Sequence, residues 1–137
     1  MGILIDSDII IDFLNNQNPA VDFFKDSTTN KEFFMSVISW IEIVYGFKKN
    51  KASNKIKIFQ NLLEEFQIPV ISIDEQVAET YLDVKIELEK KNNSLADFDL
   101  LIAATALSRK LTLVTRNKKH FSRIKNLQIL SLLTNIS

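Results

Sequence analysis

Five short apolar runs, separated by longer stretches with helical periodicity, constrain this chain more than any other feature. Ile3-Leu4-Ile5, Phe33 to Val37, Pro69-Val70-Ile71, Leu111 to Thr115 and Leu127 to Leu130 are too brief for helices, and they lack the strict in-out alternation of a half-exposed strand. Between them lie segments of a different period. Ile9 to Asn15 reads as a helix, and Pro19 opens another short one that runs to about Lys25. Ser39 caps a helix carrying Trp40, Ile43, Val44 and Phe47, and a helix from about Ser53 to Phe66 places Ile56, Phe59, Leu62, Leu63 and Phe66 on one stripe. Asp74 to Lys90 repeats Val77, Tyr81, Val84 and Leu88 at three- and four-residue spacing, and Ser94 introduces a last long helix, Asp97 to about Ser108. Apolar strands alternating with helices call for a parallel sheet covered on both faces. The expected fold is α/β, a three-layer α/β/α sandwich around a mostly parallel sheet of four to five strands.

One domain spanning 1–137 is expected, because the chain has 137 residues, two glycines, two prolines and no linker-like stretch. With 46% hydrophobic residues it has material for a core without covalent staples. The absence of cysteine excludes disulfides, thiolate zinc sites and cysteine nucleophiles, and fits a reducing cytoplasm. No signal-peptide pattern is visible and no apolar run approaches the roughly 18 residues of a membrane span. The expectation is a soluble, cytoplasmic protein with no membrane partner.

Net charge is zero, but the charges are segregated. Residues 1–47 hold seven acids against two bases, and 64–99 hold ten against three. Lys48, Lys49, Lys51, Lys55 and Lys57 stand together without an acid, and after Asp99 there are seven bases and no acid. Such a pattern suits a basic rim around an acidic centre, as a phosphate polymer would require, although ordinary solvated faces would look the same.

In open parallel sheets the functional edge lies beyond the carboxyl ends of the strands. Asp6 follows the first run directly, and Thr115 and Asn117 follow the fourth. Glu42 is placed in the first turn after the second run, and Asp99 in the first turn of the helix before the fourth. Each has a plainer explanation: Ser39-x-x-Glu42 and Ser94-x-x-Asp97 read as capping boxes, Asp8 as an N-cap, and Asp97 and Asp99 as acids favoured by a helix dipole. Asp99 shares a narrow stripe with Ile102, Ala103 and Ala106, which directs it inward, whereas Asp97, two residues away, faces elsewhere. Carboxylates gathered at one place repel one another unless a cation sits among them, and oxygen-only donors favour Mg²⁺ or Mn²⁺. A single histidine, His120, rules against a histidine-based zinc site.

Four segments together resemble the PIN-domain family, and within it the VapC-type toxins of bacterial toxin–antitoxin pairs. They are Ile3 to Leu14 with Asp6, Ser36 to Gly46 with Glu42, Asp97 to Ala106 with Asp99, and Leu113 to Phe121 with Thr115 and Asn117. The resemblance implies an endoribonuclease whose metal-binding and catalytic acids are Asp6, Glu42 and Asp99, with Asn117 as a further metal contact and Ser7, Asp8, Asp97 and Thr115 supporting them. It implies RNA contacts from Arg116, Lys118, Lys119 and His120, an RNA substrate with tRNA among the candidates, a homodimer, and a small VapB-type antitoxin. The chain departs from the pattern at Asn117, where many relatives carry a fourth acid; one metal or two stays open. His120 reads as a phosphate contact, a proton carrier, or a surface residue before buried Phe121. The phenylalanines, ten in all, read either as core or as part of an antitoxin groove. Two other readings compete. Asp6-Ser7-Asp8 also looks like the start of an aspartyl-phosphate phosphatase, and a non-catalytic PIN module would bind RNA or a protein partner without cutting.

Overall fold

The computed structural model describes residues 1–133. Twelve elements follow one another: β1 (Gly2–Ile5), α1 (Ser7–Leu14), α2 (Ala20–Lys25), β2 (Glu32–Ser36), α3 (Val37–Lys49), α4 (Ser53–Glu65), β3 (Val70–Ile71), α5 (Glu75–Lys90), α6 (Asp97–Arg109), β4 (Thr112–Thr115), α7 (Lys118–Phe121) and β5 (Ile129–Ser131). The five strands form one sheet in the order β3-β2-β1-β4-β5, and every pairing is parallel. The expected α/β/α sandwich is therefore the observed fold, with the sheet wholly rather than mostly parallel.

Strand periodicity divides the core into two halves. Ile3, Ile5, Phe33, Met35 and Val114 point to one face, where α1, α2, α3 and α4 cover them with Ile9, Ile10, Phe24, Ile43, Phe59 and Leu62. Leu4 and Leu113 point to the other, under α5, α6 and α7, against Leu88, Leu100, Ile102, Ala103, Ala106 and Phe121. The alanines of α6 are fully buried and let that helix lie close on the sheet. Half of the ten phenylalanines are spent in one internal cluster: Phe13, Phe23, Phe24, Phe33 and Phe66 pack edge-to-face or tilted, with centroids 4.9 to 6.4 Å apart.

Two expected boundaries move. Val37 belongs to α3 and not to the second strand, because the Ser36 hydroxyl accepts a hydrogen bond from the Ile38 N–H at 3.1 Å and turns the chain into a helix three residues earlier than Ser39 would. Five helices end on residues in the left-handed region without glycine: Asn16, Lys51, Gln67, Asn92 and Lys110 all have φ between 51 and 58°.

The topology fixes the functional edge. From β1 the chain steps outward to β2 and β3, then crosses back to lay β4 on the other side of β1. The carboxyl ends of β1 and β4 are thus neighbours at the point where the winding reverses, and the Asp6 N–H donates to the Val114 carbonyl at 2.9 Å.

Candidate active site

Asp6 is the residue at which β1 becomes α1. Its backbone is extended (φ −71°, ψ 155°), and its carboxylate accepts from the Ser7 N–H at 2.8 Å, so Asp6 is the N-cap of α1. The cap expected at Asp8 therefore falls two residues earlier, at Asp6. Asp8 lies inside the helix, and its Oδ2 accepts from the Arg116 N–H at 3.2 Å. The Thr115 hydroxyl, at the end of β4, donates to Asp6 Oδ2 at 2.7 Å and accepts from the Asn117 N–H at 2.9 Å, with Asp8 Oδ2 3.5 Å away. One threonine thus ties two acids of α1 to the loop after β4.

Glu42 falls in the second turn of α3, not the first, because the helix begins at Val37. Ser39, inside the helix, is fully buried and its hydroxyl has no partner, so Ser39-x-x-Glu42 is not a capping box. The Glu42 carboxylate turns to Ser7, whose hydroxyl donates to it at 3.2 Å. Asp99 stands in the first turn of α6 beside the buried Ile102–Ala103 stripe, and its Oδ2 lies 3.8 Å from His120 Nδ1.

Charge is crowded here. Asp6 is 7% exposed, and burial together with the negative charges of Asp8 and Glu42 pushes its carboxyl up to about 7 despite the opposing hydrogen bonds from Thr115 and Ser7. Glu42 is raised by burial and by Asp99 and Asp8, against its hydrogen bond from Ser7. Asp8 is raised chiefly by burial, and its Oδ1 is buried without a hydrogen-bond partner. Asp6, Asp8 and Glu42, each raised in part by neighbouring carboxylates, stand with Asp99 as oxygen donors that suit a hard divalent cation. As they stand, no three acidic or histidine side chains among the described residues form a finished cation cage, so the cluster is crowded but not preformed.

The other sequence-predicted residues lie outside the acid cluster or along its rim, where His120 faces Asp99. Asp97 is 59% exposed and is drawn to α5, where Lys85 Nζ at 2.8 Å and the Tyr81 hydroxyl at 2.9 Å hold its carboxylate low. The cap of α6 is Ala96, which makes no side-chain bond, so Ser94-x-x-Asp97 is not a capping box either. Ser94 is engaged through its carbonyl by Arg123 at 2.8 Å. Asn117, Lys118, Lys119 and His120 are exposed on and before α7, along the rim outside β4. The residue that sequence reasoning passed over is Asp12. It lies 6% exposed on α1, its Oδ2 3.2 Å from Arg116 Nε. Its spacing of one helical turn from Asp8 was the available signal. Beside Glu42 a groove of about 240 Å³ opens between α1 and α3, lined by Ser7, Ile11, Ile43, Gly46 and Phe47.

The PIN-domain family model matches residues 3–127, which takes in all four of these segments and the carboxyl ends of β1 to β4. The chain belongs to the PIN-domain family. Among curated proteins it is similar to Ribonuclease VapC1 of Methanocaldococcus jannaschii, 29% identical over 123 residues that cover 90% of this chain and 81% of that one. It is also similar to Ribonuclease VapC2 of Rickettsia felis, 35% identical over 102 residues covering 72% of each. Among solved structures, the VapBC2 complex of Rickettsia felis bound to a promoter DNA fragment superposes with a TM-score of 0.86 at 26% identity, covering 96% of this chain and 99% of that one. The VapBC-1 complex of nontypeable Haemophilus influenzae gives 0.82 at 28% identity, covering 96% and 98%. Within the PIN-domain family, then, this chain is of VapC type, and the all-parallel five-stranded sheet is the one its structural relatives share.

Proposed function

We propose that this PIN-domain chain is an endoribonuclease toxin that hydrolyses RNA phosphodiesters with the help of Mg²⁺ or Mn²⁺ and is neutralised by a VapB-type antitoxin. The observation that carries the reading is the burial of Asp6 at the β1–β4 reversal among Asp8, Glu42 and Asp99, an arrangement of negative charge that wants a cation. Asp6, Glu42 and Asp99 would hold the ion through carboxylate oxygens, with the Asn117 amide as a further, uncharged oxygen donor. A divalent cation bound there supplies Lewis acidity toward a phosphoryl oxygen and makes water a competent nucleophile near neutral pH. The chain's own groups do the positioning. Ser7 fixes Glu42, Thr115 fixes Asp6, and the buried walls around Ile5 and Val114 keep bulk water from the inner side of the cluster. Arg116, Lys118, Lys119 and His120 line the outer rim, where an incoming phosphate backbone is held.

The relatives' names extend the proposal to partners. A curated relative in Salmonella typhimurium, 29% identical over 96 residues, is a tRNA(fMet)-specific endonuclease, so tRNA heads the substrate classes to test. The structural relatives are toxin–antitoxin complexes, which makes a small antitoxin the expected partner, and a homodimer and a cytoplasmic setting go with that biology. No helix among the described residues is long and apolar enough to cross a membrane.

The test is cleavage of total cellular RNA by antitoxin-free protein with Mn²⁺ or Mg²⁺, with EDTA, and with the Asp99→Asn variant. Discrete fragments that require both metal and Asp99 support the nuclease; cleavage that survives EDTA sinks the mechanism. Folded protein that binds Mn²⁺ and RNA without cutting favours a binding module, the reading to which Asn117 in place of a fourth acid lends weight.

A further inference from the structure

Arg116 is held in an unusual way. It follows Thr115 at the end of β4, its backbone N–H is fixed by Asp8, and its side chain lies across α1. Nε is buried, 3.2 Å from Asp12 Oδ2 and 3.9 Å from Asp8 Oδ2. Neither Nε nor Asp12 Oδ2 makes a hydrogen bond, so the contact is one of charge and not of aligned donor and acceptor. The side chain as a whole is 38% exposed, and its terminal nitrogens have no hydrogen-bond partner among the described residues. The guanidinium is therefore anchored at its inner nitrogen beside Asp12 and Asp8, and its outer fork is unoccupied among the described residues.

As a stabilising device the pair makes poor sense. A carboxylate buried to 6% exposure is costly, and a loosely aligned partner repays little of that cost. Ile9, one turn back on the same face of α1, is fully buried, so this face also takes an apolar side chain. What Asp12 does provide is a fixed negative charge that holds one end of an arginine whose other end is presented outward. A fork pre-set in this way binds two oxygens of a phosphate with little left to reorganise.

We infer that Asp12 is a positioning residue: with Asp8 it holds Arg116 so that the outer guanidinium nitrogens grip the phosphate being cleaved. The inference rests on the nuclease reading above, and deepens it by separating Arg116, which touches substrate, from the rim lysines, which supply general attraction. Asp12 acts only through Arg116, so the effects of the two residues are not independent.

The test uses the full chain with Mn²⁺ and a fluorophore-quencher oligoribonucleotide of mixed sequence, with folding of every variant followed by circular dichroism and thermal melting. Asp12→Asn is isosteric and removes a buried charge, so it folds; kcat falls about tenfold or more while KM changes little, as misplacement of a positioned group does. Arg116→Gln loses about 10²-fold in kcat. The double variant is no worse than Arg116→Gln alone, and Asp12→Glu recovers part of the loss. Should Arg116→Gln fail to fold through the stranded Asp12 charge, the double variant, which leaves no stranded charge, supplies the same comparison against Asp12→Asn. A folded Asp12→Asn with wild-type kcat, or a double variant whose loss is the product of the two single losses, overturns the inference. Wild-type protein that is folded, binds Mn²⁺ and cuts nothing overturns the nuclease reading itself, a result distinct from active wild type beside an unimpaired Asp12→Asn.

Discussion

Replacing Asp6 by Asn should make the metal-free protein more stable at pH 8 and less active at every pH. An exposed aspartate titrates near 3.8, whereas in the fold burial and the neighbouring Asp8 and Glu42 charges push Asp6 up to about 7. Between those values the folded chain holds a proton that the unfolded chain has released, so stability falls as pH rises through the interval and levels off above it. The difference corresponds to about 4 kcal/mol at 1.36 kcal/mol for each pH unit, a large share of the roughly 5–15 kcal/mol that holds a domain together. Asn keeps the cap to the Ser7 N–H and a hydrogen-bonding group facing Thr115, and it carries no charge. The assay is urea unfolding of wild type and Asp6→Asn in EDTA at pH 4.5, 6, 7 and 8. Taking the difference between the two proteins at each pH cancels the groups that do not sense Asp6; Asp8 and Glu42 do sense it, and their relief in the variant adds in the same direction. The expected difference is about 1 kcal/mol at pH 4.5, where the unfolded aspartate is already largely ionised, and grows in favour of the variant until about pH 7. Divalent cation added at pH 8 should raise the wild type and leave the variant almost unmoved. A difference that is flat with pH, or that favours the wild type at pH 8 in EDTA, would refute the idea that Asp6 is a charge held in wait for a cation.

Other outcomes follow from single residues. Thr115→Val should cost about 1–3 kcal/mol and most of the activity, because it leaves Asp6 Oδ2 and the Asn117 N–H without their shared partner; urea unfolding and RNA cleavage measured together check it. Asp97→Asn should leave cleavage within about twofold of wild type, since its carboxylate serves Lys85 and Tyr81 and not the acid cluster, while Asp99→Asn abolishes it. Gln67→Gly should raise stability by about 0.5–1 kcal/mol in chemical denaturation, because the left-handed backbone there costs a glutamine more than the extra chain entropy costs a glycine.

The sheet and most helices were legible because their signals are periodic. The alternation of Ile3 and Ile5 against Leu4, and the stripe Phe59–Leu62–Leu63, leave one arrangement that buries them. Asp6 and Asp99 were legible for the same reason: each interrupts or borders an apolar pattern whose direction is known. Capping was misread three times, at Asp8, Ser39 and Ser94. At Asp6 and Asp8, and at Ser36 and Ser39, two polar residues within about a turn offer equivalent caps, and the choice between them turns on where the preceding strand stops pairing; α6 starts instead at Ala96, which no capping signal marks. Asp12 was invisible in its role because its partner lies 104 positions further along the chain, on the far side of the β1–β4 junction.

That junction also sets a clock. The hydrogen bond from Thr115 to Asp6 spans 109 positions, and the strand that brings Thr115, Arg116 and Asn117 to the acids is the fourth of five. A chain emerging from the ribosome therefore displays Asp6 long before Thr115, which orients it, exists, and β1 waits for its β4 neighbour while the helices between them are made. Until β4 pairs with β1, the edge that gathers the acids is incomplete, so its assembly is one of the later events of folding.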